Sequence, residues 1–452
     1  IYISPGLDPN QIVSGTLSYA LACGKPIIST KFLHAQEVLS DNKGILVDFR
    51  NSKEFEEAIL KLLENPELKG EMERKNYLFS RDSIWPNVAI KYMKVFEKFA
   101  NLNKEEDKLP RIKLKHLVKM TTVNGITQFA NQSQPDTNSG FTTDDNARAL
   151  IVVAKHHRLF KSKISRKLAL IYLSFLEKMK SENGEFFNYL DDNLKISDKI
   201  KYEDPFGRAL WACGITSCNF DDEVGDKAKK IFEDSANNIY NLRALRAKAF
   251  SIIGLYFYNN AFPSSENVEK IKFLADSLVS EYENNSKDDW KWFEEKLTYS
   301  NSTIPEALFL AYKVTENEKY LKVAKESFDF LCNLLFVRGK LMPIGQNGWF
   351  SYKGKRSFFD QQPIDASSMT RTSLVAHEIL GDDKNMELAL TAFNWFLGKN
   401  VLSQTIYNES TGGCYDGLSK NSVNINQGAE STISYLLARL SLDETRKFGS
   451  VI

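Results

Sequence analysis

The sequence predicts a mainly α chain: an (α/α)6 toroid or barrel preceded by a partial α/β domain. Three observations carry this. A change of rhythm near residue 100 separates a short strand–helix alternation from a long run of helical apolar spacing. Six apolar helical segments follow, with more amphipathic ones between them. Most of the six are approached through stretches dense in carboxylates, amides and aromatics: FTTDDNARAL (141–150), KYEDPFGRAL (201–210), YNLRALRAKAF (240–250), LTYSNSTIPEAL (297–308), FFDQQPIDASS (358–368) and NINQGAESTIS (424–434). Packing alone gives no reason for so many polar groups ahead of apolar helices. A ring of helix entrances facing one cleft does.

The α/β part comes first. Residues 1–3, 26–30 and 44–48 are apolar runs of strand length. SGTLSYALACG (14–24) has helical spacing and closes on Gly24 as a C-cap. SKEFEEAILKLLEN (52–65) is an amphipathic helix with a Ser52 N-cap. The alternation gives a βαβ layer with a parallel sheet. Residues 101–110, NLNKEEDKLP, have linker composition. The expected domains are therefore 1–100, the linker 101–110, and 111–452.

In the helical part the inner helices are expected at about 144–157, 204–216, 241–258, 302–314, 365–380 and 427–441. Outer helices are expected at about 110–121, 165–181, 222–239, 265–284, 317–336 and 384–398. Six plus six is the count of an (α/α)6 barrel. No fixed sequence period supports the alternative, a solenoid of helical hairpins. The loops leading from outer to inner helices are long, 182–203, 285–301, 337–364 and 399–426, and long loops over a rigid scaffold carry function. GEFFNYLD (184–191) and the 339–355 stretch are expected to form small hairpins there.

The bulk numbers narrow the class. The chain has 452 residues, 42% hydrophobic and 26% charged, as in an ordinary soluble protein of two or three domains. With 59 basic and 58 acidic side chains there is no electrostatic reason for nucleic acid. The five cysteines (Cys23, Cys213, Cys218, Cys332, Cys414) are odd in number and form no CxxC pair. Reduced thiols are expected rather than a disulfide framework or zinc site. No stretch approaches the roughly 18 apolar residues of a membrane span, so no membrane partner is expected. The start, IYISPGLDP, lacks Met and the features of a signal peptide and reads as mid-strand. The expectation is a cytoplasmic protein missing the N-terminal part of its α/β domain, which leaves a signal open. No metal motif, GxGxxG or P-loop occurs, and no cofactor is expected.

The candidate chemistry is carboxylate chemistry. Glycoside cleavage needs one carboxylic acid to protonate the leaving oxygen. A second carboxylate activates water or attacks the sugar. The catalytic candidates are Asp144, Asp204, Glu294 and Asp360. Asp144 and Asp204 also suit N-caps. Glu294, among tryptophans, is expected to have a raised pKa. Arg148 and Arg208 each lie one turn beyond an entrance aspartate, to pair with it, orient it or bind a substrate anion. Trp290, Trp292, Tyr299 and Trp349 are expected sugar platforms. Asp145, Asn146, Asn301, Asn347, Gln361, Gln362, Asp365, Asn426, Gln427 and Glu430 complete the expected substrate contacts.

Two resemblances follow from these residues. S-P-x-L-D-P, ALACGKPIIST, AQEVL and GILVDF resemble the distal part of the C-terminal half-domain of family-4 glycosyltransferases, GT-B enzymes that bind a nucleotide sugar between two domains. SIWPNVAIKYMKVFEKF (83–99) resembles their closing helix. The family places two glutamates eight positions apart, at the donor sugar and the ribose. Here those positions are Gln11 and Tyr19, although Glu37 sits where a later family glutamate sits. The stretches TDDNARAL, DPFGRALWACG, WKWFEEKLTYSN, PIGQNGWF, FDQQPIDA, WFLGKN, TGGCYDGL and NQGAEST resemble the six-hairpin glycosidase superfamily. That resemblance implies hydrolysis or phosphorolysis of oligosaccharides, commonly with inversion.

The expected function is an inverting glycoside hydrolase acting on oligosaccharides. In a phosphorylase variant, Arg148, Arg208 or Arg243 would serve the phosphate. The alternatives are a glycosyltransferase whose helical domain binds glycan, a non-catalytic glycan-binding module, and a sugar epimerase. The last works through paired histidines, and none of His34, His116, His156, His157 and His377 lies at a helix entrance.

Overall fold

The computed structural model describes residues 1–85, 88–89, 92, 95–96, 109–197, 202–420 and 422–449. Contacts divide the chain into two compact units, Ile1–Leu109 and Pro110–Ile452. More than half of the closing helix expected at 83–99 and most of the expected linker lie outside the described residues.

The first unit is a parallel sheet of β1 (Tyr2–Ser4), β2 (Ile27–Thr30) and β3 (Ile45–Val47) in that order. Its helices are α1 (Gly15–Ala22), α2 (Leu33–Val38), α3 (Ser52–Glu64) and α4 (Pro66–Ser80). The central strand β2 is buried throughout, as a strand covered on both faces must be. Leu17, Ile27 and Phe32 pack on one face; Ile28, Val47, Leu62 and Met72 pack on the other. Gly24, at φ +62°, ends α1 in the left-handed region that favours glycine. The cap of α3 is Asn51, not Ser52: the Asn51 side chain accepts from the Glu54 amide at 3.2 Å, and Ser52 is already helical.

The second unit holds α5 (Lys115–Met120) and five helical pairs: α6 (Thr143–Phe160) with α7 (Lys163–Met179), α8 (Glu203–Asn219) with α9 (Glu223–Ser235), α10 (Leu245–Ala261) with α11 (Ser265–Asn285), α12 (Thr303–Thr315) with α13 (Glu318–Leu335), and α14 (Pro363–Leu380) with α15 (Asp383–Asn394). The last inner helix is α16 (Ala429–Phe448), backed by α5. Helices α6, α8, α10, α12, α14 and α16 touch in that order, and α16 touches α6. The ring closes, so this is an (α/α)6 toroid and not a solenoid. The helix expected over 110–121 is reduced to α5, because Thr121 and Thr122 leave it for a hairpin with Gly125–Ile126.

Sequence accounts for the tightest contact of the ring. A Cβ on Gly214 of α8 would stand 2.3 Å from the Gly254 carbonyl of α10, and one on Gly254 would stand 2.7 Å from Leu210. Only glycine lets these two helices meet so closely. The entrance loop before α16 pairs within itself, Tyr407–Asn408 with Gly413–Cys414 and Gly417–Leu418 with Val423–Asn424, whereas others pair across to a different loop. Tyr189–Leu190 pairs with Phe141–Thr142, and Phe350–Ser351 with Lys296–Leu297. Of the hairpins expected in 339–355, one short pairing exists, Lys340–Leu341 with Phe336–Val337.

Candidate functional site

The entrances of all six inner helices converge on one cleft of about 590 Å³. Its lining takes Asp144 from α6, Asp204 and Arg208 from α8, Ala244 before α10, Tyr299 before α12, Gln362 and Ile364 at α14, and Glu430 on α16. Neither Asp144 nor Asp204 is a cap. Thr142 caps α6, accepting from the Asp145 amide at 3.0 Å, and Tyr202 precedes α8 without capping it. Both aspartates sit in first helical turns and face the cleft.

Two guanidiniums organise the carboxylates. Arg208 Nη1 lies 2.5 Å from Asp144 Oδ1, whereas its contact with Asp204, one turn earlier in its own helix, is longer at 3.8 Å. Arg148 reaches Glu430 at 2.7 Å, Asp145 at 3.0 Å and Asp144 at 3.4 Å. Burial pushes the Asp144 pKa up, but Arg208 and then Arg148 pull it below the ordinary aspartate value. Asp144 is therefore an anion at neutral pH. The Tyr299 hydroxyl donates to Asp204 Oδ2. Burial first, and then the Asp204 charge, raise the Tyr299 pKa and keep it a neutral donor.

Tyr299 and Trp349 both line the cleft, their ring centroids 6.4 Å apart. Trp349 holds φ +56° and Ser300 beside Tyr299 holds φ +48°, conformations that are costly for side chains of this kind. Gln346, Asn188, Tyr202 and Glu203 complete the walls, and sequence reasoning named none of the four.

Several expected site residues are structural. Trp292 and Trp290 are buried, packed against Phe293, Phe330 and Phe350, and are not platforms. Glu294 does not stand alone among rings: it pairs with Arg246 at 3.1 Å, and Arg246 also donates to the Tyr299 carbonyl at 2.7 Å. Glu294, Asp360 and Asn347 are not among the cleft-lining residues, and Asn347 is exposed on its loop. Gln361 is buried, with its side chain shared between the Phe358 carbonyl and the Trp395 indole. Asn146 braces the Ile126 amide and the Thr142 carbonyl. Asn301 is held by Arg246 and Thr298. Asn426 accepts from the Gln132 amide, and Gln427 from the Thr411 hydroxyl.

The polar richness of the entrances thus has a packing reason after all. Glu203 accepts the Arg243 and Ala244 amides at 2.8 and 2.6 Å, doing for α10 what its uncapped start lacks. Asp416, which sequence reasoning passed over, accepts from the Gly428 amide and Ser431 hydroxyl at the start of α16. Asp365 accepts the Ser300 amide at 2.7 Å ahead of α12. Burial raises the Asp365 pKa to about 7 against the pull of the Ser300 amide and Arg246. Burial likewise raises Asp145 to about 6 despite Arg148.

None of the five histidines lines the cleft. His116 bonds the Gln427 carbonyl; His156 and His157 bond Ser165 and Ser162 at the far end of α6; His377 bonds the Asp382 carbonyl; His34 receives the Ser14 amide in the first unit. Among the described residues no group of three His, Cys, Asp or Glu side chains is placed to hold a metal, and no helix is long and apolar enough to cross a membrane.

Residues 16–79 match the family model for glycosyl transferases group 1. An uncharacterized glycosyltransferase of Methanocaldococcus jannaschii is 33% identical over 93 residues, which are 20% of this chain and 23% of that protein. The first unit carries a glycosyltransferase group 1 domain. The chain spans under a quarter of the length of that curated relative.

In this glycosyltransferase domain, Tyr19 stands exposed on α1 and the Gln11 side chain turns back to the Val13 carbonyl at 3.0 Å. The toroid has solved counterparts. Cellobiose 2-epimerase from Spirochaeta thermophila matches with TM-score 0.60 at 11% identity, over 79% of this chain and 96% of that one. A sugar epimerase from a ruminal bacterium matches with TM-score 0.57 at 14% identity, over 74% and 95%. An inactive variant of the α-1,6-mannanase of Salegentibacter, with two consecutive aspartates replaced by alanine and bound to α-1,6-mannotetrose, matches with TM-score 0.53 at 11% identity, over 72% and 94%. At these identities the shared property is the (α/α)6 fold.

Proposed function

We propose that the toroid is a carbohydrate-active enzyme, a glycoside hydrolase working on oligosaccharides through Asp144 and Asp204. The observation that carries this is the pairing of unlike environments across one open cleft. Asp144 has two guanidinium partners and is the permanent anion. It activates water or meets the anomeric carbon. Asp204 touches only the far edge of Arg208, and its close neighbour is a neutral phenol. It is the carboxyl best placed to carry a proton to the leaving oxygen, with the Tyr299 hydroxyl ready to exchange roles as donor and acceptor. Glu430, held at 2.7 Å by Arg148, is a second anion and binds sugar hydroxyls. Tyr299 and Trp349 supply the stacking surface.

The mannanase adds a chemical parallel. It is inactive without two consecutive aspartates. This sequence has five such pairs (144–145, 191–192, 221–222, 288–289 and 382–383), and only the first stands at the cleft. The epimerase reading gains nothing from the histidines, which lie elsewhere. In the glycosyltransferase domain, Gln11 and Tyr19 replace the two expected carboxylates, so donor chemistry is not assigned to it.

The test is product release from α- and β-linked manno-, gluco- and galacto-oligosaccharides, beginning with α-1,6-linked mannose, with and without phosphate. Release without phosphate supports a hydrolase, and proton NMR of the first-formed anomer reads inversion or retention. Release only with phosphate replaces hydrolysis by phosphorolysis. Silence across the panel rejects the reading.

A further inference from the structure

Beneath the cleft, on the inside of the ring, lies a second and much smaller cavity of about 20 Å³. Arg148, Arg208 and Arg371 line it together with Trp211, Phe250, Ser367 and other serines, and no carboxylate does. Arg208 and Ile364 border both spaces, which gives the small one a route from the cleft.

The donors around it are unusual. Arg371 is buried and spends Nη2 on Glu306 at 3.2 Å, while its Nε and Nη1 have no protein partner. The Trp211 indole N–H and the Ser367 hydroxyl, both buried, have none either. The Arg371 guanidinium lies over the Trp211 ring at 4.5 Å, and Ser367 stands one turn before Arg371 on α14, so the three residues with unpaired donors border one small cavity. Unmet buried donors cost free energy, and a charged one costs most. A single water accepts only two hydrogen bonds, fewer than the unpaired donors of Arg371, Trp211 and Ser367 together. A monatomic anion accepts from every side and can meet all of these donors at once. The volume holds one body little larger than water, which excludes phosphate, sulfate and carboxylates.

We propose that this cavity is a binding site for one halide ion, chloride under ordinary conditions, held by Arg371, Trp211 and Ser367. It would tie α8 to α14 under the cleft floor. The inference does not depend on the reaction assigned above.

The test is a crystal of the full chain soaked in sodium bromide and measured at the bromine edge. An anomalous peak within hydrogen-bond reach of Arg371 and Trp211 is expected; a light-atom feature without anomalous signal overturns the site. In solution, the unfolding temperature is expected to rise saturably with sodium chloride but not with sodium gluconate at equal ionic strength. Ser367→Ala and Trp211→Phe each remove one donor and are expected to weaken the half-saturating chloride concentration by about tenfold. Equal responses to the two salts would contradict the proposal.

Discussion

Arg148 on α6 and Glu430 on α16 are joined at 2.7 Å across 282 positions of sequence, so the first and last inner helices meet through the site itself. The same guanidinium holds Asp144 and Asp145. Closing the toroid and charging the cleft are one arrangement. Removing either end has unequal consequences, because Arg148 is buried and the Glu430 side chain is 38% exposed. Glu430→Gln is expected to cost less than about 1 kcal/mol of stability. Arg148→Met, which strands buried carboxylates, is expected to cost about 3 to 5 kcal/mol. Urea unfolding of both variants checks this; equal losses would contradict the role given to Arg148.

Asp365 makes stability depend on pH. Its pKa of about 7, and that of Asp145 at about 6, lie above unfolded aspartate. The folded state therefore holds these protons more tightly than the unfolded chain. Their contribution is fully present below about pH 4 and is lost as pH rises through 6 to 7. Asp365→Asn keeps an acceptor for the Ser300 amide and removes the ionisation. It is expected to be near neutral at pH 4 and stabilising at pH 8 by about 4 kcal/mol, several degrees in unfolding temperature. A variant less stable than wild type at pH 8 would contradict the burial of a lone carboxyl there.

The tryptophans separate into two kinds. Trp349→Ala is expected to leave the unfolding temperature within a few degrees and to raise KM about tenfold through lost stacking. Trp292→Ala, in the core, is expected to cost about 3 to 5 kcal/mol with little change in KM for the fraction that folds. Calorimetry and initial rates on the two variants distinguish them.

The contact between α8 and α10 tolerates no side chain at its centre. Gly254→Ala is expected to destabilise by at least about 2 kcal/mol, since its Cβ meets backbone rather than a movable side chain. A thermal melt reads it directly.

Which of these features was legible beforehand follows from their physics. Helical periodicity reports burial, so the inner and outer helices and their alternation could be read from residues such as ALIVVA and ISYLLARL. The convergence of six entrances could be read too, and with it Asp144, Asp204, Arg208, Tyr299, Trp349, Gln362 and Glu430. Composition could not tell a cleft carboxylate from a bracing one. Asp204 faces the cleft while Asp416, which does not line it, ties down the start of α16. Nor could it tell Trp292, buried under Phe330, from Trp349, turned outward by a left-handed backbone. Those distinctions are set by long-range pairings such as Lys296–Leu297 with Phe350–Ser351, which leave no periodic trace. The Glu203 contribution had one available signal, a carboxylate opening a helix entrance already singled out, and Asn188 had another, its place in the 184–191 stretch expected to lie over the same face.

The most direct test of the central assignment is turnover of the oligosaccharide that the panel identifies by Asp144→Asn and Asp204→Asn, with folding verified by circular dichroism and unfolding temperature. Both variants are expected to stay folded and to lose at least about a thousandfold in kcat, with KM little changed. The Asp204→Asn loss is expected to shrink on a substrate whose leaving group needs no proton. Near-wild-type kcat in either folded variant would contradict the pairing of Asp144 with Asp204 as the catalytic carboxylates.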